Sequence, residues 1–381
     1  MPGRWFGSVF RRNASVFSEV ILIQLLVSAA SVWGKVWPVL IAILFFGFII
    51  LIHEFGHLIV AKWCGVQVNE FAIGMGPKLF SFGKRETKYS LRLLPFGGFC
   101  SMEGESGEED GEKKPPNPRA FTAKPVWKRI LIICAGAAMN LLLGLILVGI
   151  LTGTQELVGT NQVARFSEGA VSNTTGLQEG DKILRVNGTR VLSSSDITYL
   201  VARDGDGTVD FTVERGGEKL ELPNVRFATE EQDGRTVIRF DFSIIGEPRS
   251  VGNVLRSTFA ETASMARLVW LSLFDLLTGQ YGLSDLAGPV GTVSVIAQAA
   301  SVDLSGAVNL MAFITINIGI FNLLPIPALD GGKLIFLIIE GIRRKPVNPK
   351  YEGWVTAAGF AILLVLMLVL LFHDILNLIR T

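Results

Sequence analysis

His53 and His57 are the residues whose type and spacing most directly indicate chemistry in this sequence. They lie four residues apart in the stretch His-Glu-Phe-Gly-His and are two of the three histidines in the chain. On an α-helix this spacing brings both imidazoles to one face, one turn apart, where they can share a metal ion. Glu54 follows His53 and could take a proton from an attacking water. The stretch therefore predicts part of a metal site together with its general base.

The helix that carries this stretch is apolar enough to lie in a membrane. Residues 39–52, which precede His53, include twelve Leu, Ile, Phe or Val side chains. A carboxylate within a membrane helix costs about 3 kcal/mol on the insertion scale, whereas each of those apolar residues contributes about 0.3 to 0.6 kcal/mol. The helix can therefore insert despite Glu54, and an ionisable residue within a membrane segment indicates a functional site.

The composition also indicates a membrane protein. Of the 381 residues, 49% are hydrophobic and 18% are charged, the formal net charge is +1, and the mean hydropathy is +0.45. The chain is too apolar for a soluble protein of this length, and its near-zero charge gives no sign of nucleic-acid binding. The three cysteines, Cys64, Cys100 and Cys134, have unrelated spacings and predict neither a disulfide framework nor a CxxC metal site.

The alternation of apolar and polar stretches predicts a polytopic α-helical membrane protein with a membrane-associated β-hairpin and an inserted α+β domain. Its four core transmembrane helices are expected at residues 38–61, 126–152, 304–332 and 354–373. The parts between them are the hairpin with a mobile loop at 62–125, the inserted domain at 160–247, an amphipathic interfacial helix at 250–285 and a connector at 333–353. Lys and Arg cluster around the hairpin region and in the connector, so the positive-inside rule predicts that both are cytoplasmic.

The N-terminal segment, residues 1–37, has three arginines before a moderately apolar stretch at 16–33. Glu19 and Gln24 make this stretch a marginal span. It could form a short extra transmembrane helix, an interfacial amphipathic helix or a signal-like segment. We predict a membrane-associated segment, and the residues leave open whether it crosses the membrane.

A third metal ligand must come from elsewhere, because a catalytic zinc needs three protein ligands and an open position for water. Asp330 is the favoured candidate, since it lies at the predicted cytoplasmic end of the third helix, on the same side as His53 and His57. Two prolines interrupt the helix there, and non-helical backbone at membrane depth is tolerated only where it lines a cavity or is buried in protein. A lone Asp-Gly-Gly would more often form a turn. His373 lies at the opposite end of the last span and is predicted to be an interfacial residue.

The inserted domain contains a stretch, residues 176–188, that resembles the most recognisable part of PDZ domains. Domains of that kind bind extended peptides by strand addition to a sheet edge beside a helix. Short runs of strand character surround the stretch, Asn187-Gly188 and Gly216-Gly217 are hairpin signals, and residues 194–203 are predicted to form one helix.

Together these motifs resemble the site-2 protease family of intramembrane zinc metalloproteases, in particular its PDZ-bearing regulator-of-sigma-E branch. The resemblance is carried by HEFGH at 53–57, NLLPIPALDGG at 322–332 and the PDZ-like insert between them, and by FAIGMGPKLF at 71–80, PFGGF at 95–99 and GPVG at 288–291. It covers nearly everything from residue 38 onward. The chain departs from the family pattern in its extra N-terminal residues, its single PDZ-like module and Ala137, where proline is usual.

The resemblance implies one catalytic zinc ion held by His53, His57 and Asp330, with Glu54 as the general base. It implies that Asn322 holds the substrate or polarises its carbonyl. The hairpin would pair with an unwound segment of the substrate. The candidate substrate-binding residues are Asn317, Phe71, Gly74, Pro95, Gly97 and Gly98.

The partners implied by the resemblance are membrane proteins in a lipid bilayer. The substrate would be a single-span protein, such as an anti-sigma factor or a remnant signal peptide, first trimmed by an upstream site-1 protease. The chain would lie in the bacterial cytoplasmic membrane, with its active site near the cytoplasmic side and the PDZ-like domain outside.

Two other classes of protein would share some of these features. A zinc transporter would also place His and Asp in membrane helices, but no further span carries a His or a carboxylate pair at mid-depth. A non-catalytic membrane scaffold with a PDZ module would explain the insert and leave Glu54 unexplained. An intramembrane protease accounts for all of the motifs.

Overall fold

The computed structural model describes Trp37 and residues 39–83, 86–105, 117–232, 235–279, 286 and 288–380. Apart from Trp37, the predicted N-terminal segment 1–37 lies outside the described residues, as do residues 106–116 of the predicted mobile loop. The described helices are α1 (Val39–Trp63), α2 (Val126–Thr154), α3 (Ser194–Ala202), α4 (Val251–Thr278), α5 (Pro289–Val302), α6 (Leu304–Leu323), α7 (Asp330–Arg343) and α8 (Pro349–Arg380).

In the part of the chain that the structure describes, four helices are long and apolar enough to cross a membrane. They are α1, α2, α6 and the Pro349–Leu376 part of α8, with mean hydropathies between 1.8 and 2.9 over their most apolar windows. Only 6% of the window in α8 is buried inside the protein, so most of its apolar side chains are available to lipid. The chain is therefore a polytopic membrane protein that also carries β-sheets.

Small residues let α1, α2 and α6 approach each other closely. A Cβ added to Gly56 of α1 would overlap the backbone carbonyl of Ala135 in α2. A Cβ added to Gly144 of α2 would likewise overlap the side chain of Ile316 in α6. Close backbone contact at small residues is typical of helix packing in membranes, where burial of apolar surface provides little driving force. This packing brings the histidines of α1 against α2.

The third predicted span, residues 304–332, is interrupted near its end, as its two prolines predict. Helix α6 ends at Leu323, the backbone is non-helical through Leu329, and α7 starts at Asp330. Pro325 and Pro327 lie in the break, and proline cannot continue the hydrogen-bond ladder of a helix. The connector predicted at 333–353 is consequently helical over most of its length, as α7 and the start of α8.

The hairpin consists of β1 (Val68–Phe82) and β2 (Lys88–Met102), and both strands bend to form four antiparallel segments. Segment 68–73 pairs with 98–102 on one side and with 88–91 on the other, and 78–82 pairs with the far side of 88–92. Ile73, for example, lies opposite both Gly98 and Leu91. Segment 98–102 pairs with 68–73 on one side, and no strand among the described residues pairs with its other side. We call this unpaired side the inner edge.

Glu70 holds three of these segments together. Its carboxylate accepts hydrogen bonds from Ser90 Oγ at 2.6 Å, Arg92 Nη2 at 2.9 Å and Lys78 Nζ at 3.0 Å. Burial raises the pKa of Glu70, but these hydrogen bonds outweigh it and lower the pKa to about 2. The carboxylate therefore stays ionised over the whole range in which the protein would work.

The hairpin has one buried face and one exposed apolar strand. Phe71 and Cys100 pack with Leu58 of α1 and Ile132 of α2 in a single buried cluster. On segment 78–82, by contrast, three large apolar side chains are each about 60% exposed: Leu79, Phe80 and Phe82. An exposed apolar patch of this kind marks a surface that meets lipid or another protein.

The insert is a six-stranded antiparallel sheet with α3 packed on it. Its strands are β3 (Leu157–Phe166), β4 (Lys182–Val186), β5 (Thr189–Arg190), β6 (Thr208–Arg215), β7 (Glu218–Arg226) and β10 (Phe242–Pro248). Their order is β10-β3-β4-β6-β7, with β5 beside β4, while β8 (Thr229–Gln232) and β9 (Arg235–Ile238) form a separate ribbon. Both predicted hairpin turns are confirmed, since Asn187-Gly188 and Gly216-Gly217 connect paired strands and all four residues have positive φ.

Helix α4 joins the insert to the membrane helices. It contacts α2 and α6 on one side and α3 on the other. Arg267 of α4 pairs with Asp196 of α3 at 2.5 Å, and Asp275 of α4 pairs with Arg203 just after α3. Both carboxylates are fully buried. The helix predicted to be interfacial at 250–285 thus uses part of its polar face to hold the insert.

Candidate metal centre

The two histidines lie on one face of α1, as their spacing predicts, and that face meets α2. Their Nε2 atoms lie 3.2 Å apart and their ring centroids 4.9 Å apart. His57 Nδ1 lies 2.8 Å from the carbonyl oxygen of Ile132 in α2, to which it can donate only if it carries the ring proton. In a neutral imidazole the proton on Nδ1 leaves the lone pair of Nε2 free for a metal ion.

Asp330 reaches the same point from the first residue of α7. The chain between α6 and α7 turns so tightly that a Cβ on Gly331 would overlap the carbonyl of Leu324, and one on Gly332 would lie 2.7 Å from the carbonyl oxygen of Ile326. Ala328 also has a positive φ of 77° in this turn. The two glycines after Asp330 therefore serve the turn that directs its carboxylate towards α1.

The three side chains form a compact group. Asp330 Oδ2 lies 3.0 Å from His53 Nε2 and 3.2 Å from His57 Nε2. Tetrahedral ligands about 2.1 Å from a zinc ion are separated by about 3.4 Å, so the observed spacing is close to that of a metal-binding group. Two neutral imidazoles and one carboxylate also balance half the charge of a divalent cation. The described residues can thus hold one metal ion here.

Gly136 of α2 leaves space for an ion beside the two histidines. A Cβ at this position would overlap His57 Nε2 and lie 2.7 Å from His53 Nε2. Only a residue without a side chain leaves the space beside these two nitrogens open. The small residues around Gly136 have the composition of ordinary helix packing, and only the structure shows that this glycine adjoins the Nε2 atoms of His53 and His57.

Replacing Gly136 by alanine is expected to lower the zinc affinity. Overpacking costs about 1 to 3 kcal/mol, which corresponds to about 5- to 150-fold in a binding constant. Zinc content of the purified protein, measured by metal analysis after equilibration with a chelator, checks this. Gly149→Ala is the matched control on the same helix, because a Cβ there lies 3.5 Å from its nearest neighbour. Equal zinc retention by the two variants would contradict the prediction.

Glu54 lies next to the inner edge of the hairpin. A Cβ added to Gly98, the first residue of that edge, would be 3.3 Å from Glu54 Cγ and 3.0 Å from the carbonyl oxygen of Ala72. The predicted base and the open strand edge therefore meet at Gly98, and a larger residue at position 98 would separate them.

The other predicted substrate-binding residues have different environments. The Asn322 amide donates to the carbonyl of Ile318 at 3.0 Å, within its own helix, and Asn317 is partly exposed on α6. Phe71 is buried and its strand is paired on both sides, so it lies away from the open edges. Gly74 and Gly97 have φ near +80° at bends of the hairpin. Pro95 lies in β2.

Two polar contacts near the centre were not predicted. Asn140 of α2 lies 3.4 Å from His53 Nδ1. Lys333, one turn after Asp330, donates to Glu105 at 2.6 Å. Burial lowers the pKa of Lys333, but Glu105 outweighs it and the pKa is raised.

His373 lies near the end of α8, beside Asp374, whose carboxylate accepts backbone hydrogen bonds at the start of α5.

Comparison with known proteins gives consistent results. The family model described as "Peptidase family M50" matches residues 41–366. The chain is 36% identical to a protein of Clostridium acetobutylicum named as a zinc metalloprotease, over 88% of this chain and 97% of that protein. It is 32% identical to the regulator of sigma-W protease RasP of Bacillus subtilis, over 87% and 97%. It is also 32% identical to the zinc metalloprotease RasP of Shouchella clausii, over 87% and 96%.

Proposed function

This chain belongs to peptidase family M50, the site-2 protease family, and is a zinc metalloprotease, and we propose that it cleaves single-span membrane proteins within or near their transmembrane segments. One observation carries the proposal: His53, His57 and Asp330 converge within a bundle of membrane helices, with Glu54 beside an open strand edge. We propose these three residues as the zinc ligands and Glu54 as the general base.

The chain's own residues supply proton transfer and positioning. Zinc bound at this centre makes a water molecule more acidic and polarises the scissile carbonyl. Glu54 takes the proton from water as the water oxygen bonds to the carbonyl carbon, and gives a proton to the amide nitrogen as the C–N bond breaks. The second water proton passes from the new carboxyl group to the amine, so the products are a carboxylate and a protonated amine and no further reactant is needed. Asn322 is a candidate for holding the substrate carbonyl if its amide turns away from Ile318.

The hairpin offers a way to bind an unwound substrate. A transmembrane helix buries its peptide bonds in its own hydrogen bonds, so a protease must open the helix and provide replacement partners. Segment 98–102 can provide them, because strand addition to a free edge pairs the backbone of an extended peptide. Gly98 would bring that peptide beside Glu54. We propose that Gly74 and Gly97 contribute by shaping the bends of this sheet and Pro95 by its place in β2.

We further propose an orientation in a bacterial cytoplasmic membrane. Lys62 at the end of α1, Lys128 at the start of α2 and Arg343 at the end of α7 favour the cytoplasmic side for these ends, by the positive-inside rule. The metal centre lies near them, and the insert, proposed as a PDZ-like domain, follows the other end of α2. Proposed substrates are an anti-sigma factor or a remnant signal peptide, trimmed beforehand by another protease.

Cleavage by the purified protein tests the function. In detergent, a model single-span protein is expected to be cut, to remain intact when a zinc chelator is present, and to be cut again after zinc is restored. A mutant of the substrate with a stabilised helix should be cut more slowly, because unwinding then costs more. Cleavage that persists in excess chelator, or the absence of cleavage for any single-span substrate, would contradict the proposal and favour a transporter or a scaffold.

A further inference from the structure

Asn140 has a fully buried side-chain amide that contacts His53, a proposed metal ligand, at Nδ1, the ring nitrogen not proposed to bind the ion. Its side chain lies on α2 with none of its surface exposed, and Nδ2 is 3.4 Å from His53 Nδ1. Its Oδ1 is buried and has no hydrogen-bond partner in the described part of the structure. A buried amide oxygen without a partner is unfavourable.

Turning the amide over gives this oxygen a partner and moves Nδ2 to the position that the oxygen leaves. The oxygen and nitrogen of an Asn side chain are assigned from their hydrogen-bond partners, because the two orientations have the same shape. When Nε2 of His53 binds a metal ion, Nδ1 must carry the ring proton and needs an acceptor. With the amide reversed, Oδ1 faces Nδ1 and accepts that proton. The Nδ1 proton of a metal-binding His53 then has an acceptor, which the other amide orientation does not provide.

His57 already shows this arrangement. Its Nδ1 hydrogen bonds to the carbonyl of Ile132, eight residues before Asn140 on the same helix. Helix α2 would thus supply one acceptor to each histidine, a backbone carbonyl to His57 and a side-chain amide to His53. Partners of this kind fix the orientation of a metal-binding imidazole.

Helix α6 holds Asn140 in place. Thr315 Oγ1 donates to the backbone carbonyl of Asn140 at 3.3 Å. Gly319 lies so close that a Cβ there would be 3.3 Å from Asn140 Cβ. The side chain is therefore enclosed between α6 and His53.

We propose that Asn140 is a positioning residue of the metal centre, whose Oδ1 accepts the Nδ1 proton of His53 and so directs Nε2 to the ion. The proposal rests on the zinc site proposed above. It goes beyond that site because Asn140 does not bind the metal ion.

Zinc affinity of the full-length protein in detergent tests the role, by competition with a chelator. Asn140→Leu has a similar size and no acceptor, and is expected to lower the affinity by about 10- to 100-fold. Asn140→Asp keeps an acceptor oxygen and is expected to retain the affinity of the unchanged protein within about threefold. Thr152→Val is the control, since it removes another buried polar group of α2 far from the ligands. The melting temperature of each metal-free protein shows whether it is folded, and Asn140→Ala replaces Asn140→Leu if the latter is not.

The outcomes separate this proposal from the zinc site itself. Zinc bound as tightly by the folded apolar variant as by the unchanged protein would overturn the role of Asn140 and leave the site intact. An equal loss in Asn140→Asp and Asn140→Leu would also overturn it, because the acceptor would then be irrelevant. If the unchanged protein bound no zinc, both proposals would fail.

Discussion

Glu54→Gln is expected to reduce cleavage by about 10²- to 10⁴-fold, the range that general-base catalysis contributes. Glutamine keeps the size of the side chain and removes only its ability to take a proton. Because Glu54 is not one of the three converging metal-binding residues, the zinc content should not change. Cleavage of a model single-span substrate and metal analysis of the same preparation measure the two quantities together.

The control for Glu54→Gln is another partly buried glutamate. Glu261 lies on α4 and accepts a hydrogen bond from Ser195 at 3.1 Å, at the interface with the insert. Glu261→Gln changes the charge in the same way. Substitutions of this type rarely change the free energy of unfolding by more than about 0.5 to 1 kcal/mol, so cleavage is expected to stay within about threefold of that of the unchanged protein. Cleavage by Glu54→Gln at a rate close to that of Glu261→Gln would exclude Glu54 as the base.

Asp330→Ala is expected to remove zinc and cleavage together. It leaves two imidazoles where three protein ligands are needed. Removing a residue that only hydrogen bonds to a ligand lowers metal affinity by about 10- to 100-fold, and loss of a ligand itself should lower the zinc affinity further. Metal analysis of protein purified without added zinc measures the loss. Excess zinc in the assay should restore little cleavage, because the remaining pair holds the ion without its anionic ligand.

Asp303→Ala is the matched control for this change. Asp303 also begins a helix, where its side chain accepts a hydrogen bond from the backbone of Gly306 at the start of α6. Loss of this cap is expected to cost about 1 kcal/mol of stability without affecting zinc. If Asp330→Ala retained as much zinc as Asp303→Ala, Asp330 would not be a ligand.

The local part of the metal centre could be predicted from the sequence. The spacing of His53 and His57 determines that both rings lie on one face of α1, because the periodicity of a helix is fixed. The hairpin turns of the insert were also predictable, since Asn-Gly and Gly-Gly tolerate the positive φ that a tight turn requires. Asp330 was harder to predict, because its proximity to α1 depends on the turn between α6 and α7. In the sequence, only its expected depth in the membrane, which matches that of His53 and His57, indicated this proximity.

The remaining features depend on contacts between distant segments. Gly136 and Asn140 belong to a stretch that has the composition of ordinary helix packing, and only the position of α1 shows what they adjoin. Helix α5 was not predicted, and it lies between the interfacial helix predicted at 250–285 and the span predicted from residue 304. In the structure Pro289 occupies the first turn of α5, where its missing N–H is not needed.

The hairpin was predicted as two strands with one turn, and the structure contains four paired segments. Alternation of side chains gives the presence of a strand but not the point at which it bends. The bends occur at glycines with positive φ, such as Gly74 and Gly97, and they determine which edge lies beside Glu54. Register of this kind is set by backbone geometry together with long-range pairing.

The separation along the chain of His53 and Asp330, two of the proposed zinc ligands, also bears on when the enzyme can become active. The two residues are 277 positions apart, and α1 is made long before α7. At a synthesis rate of about 5 to 20 residues per second, the delay is about 14 to 55 s. During that time α1 carries His53, His57 and Glu54, while the third proposed zinc ligand, Asp330, has not yet been made. A centre built from both segments thus stays inactive towards neighbouring membrane proteins until α7 has been synthesised and has folded against α1.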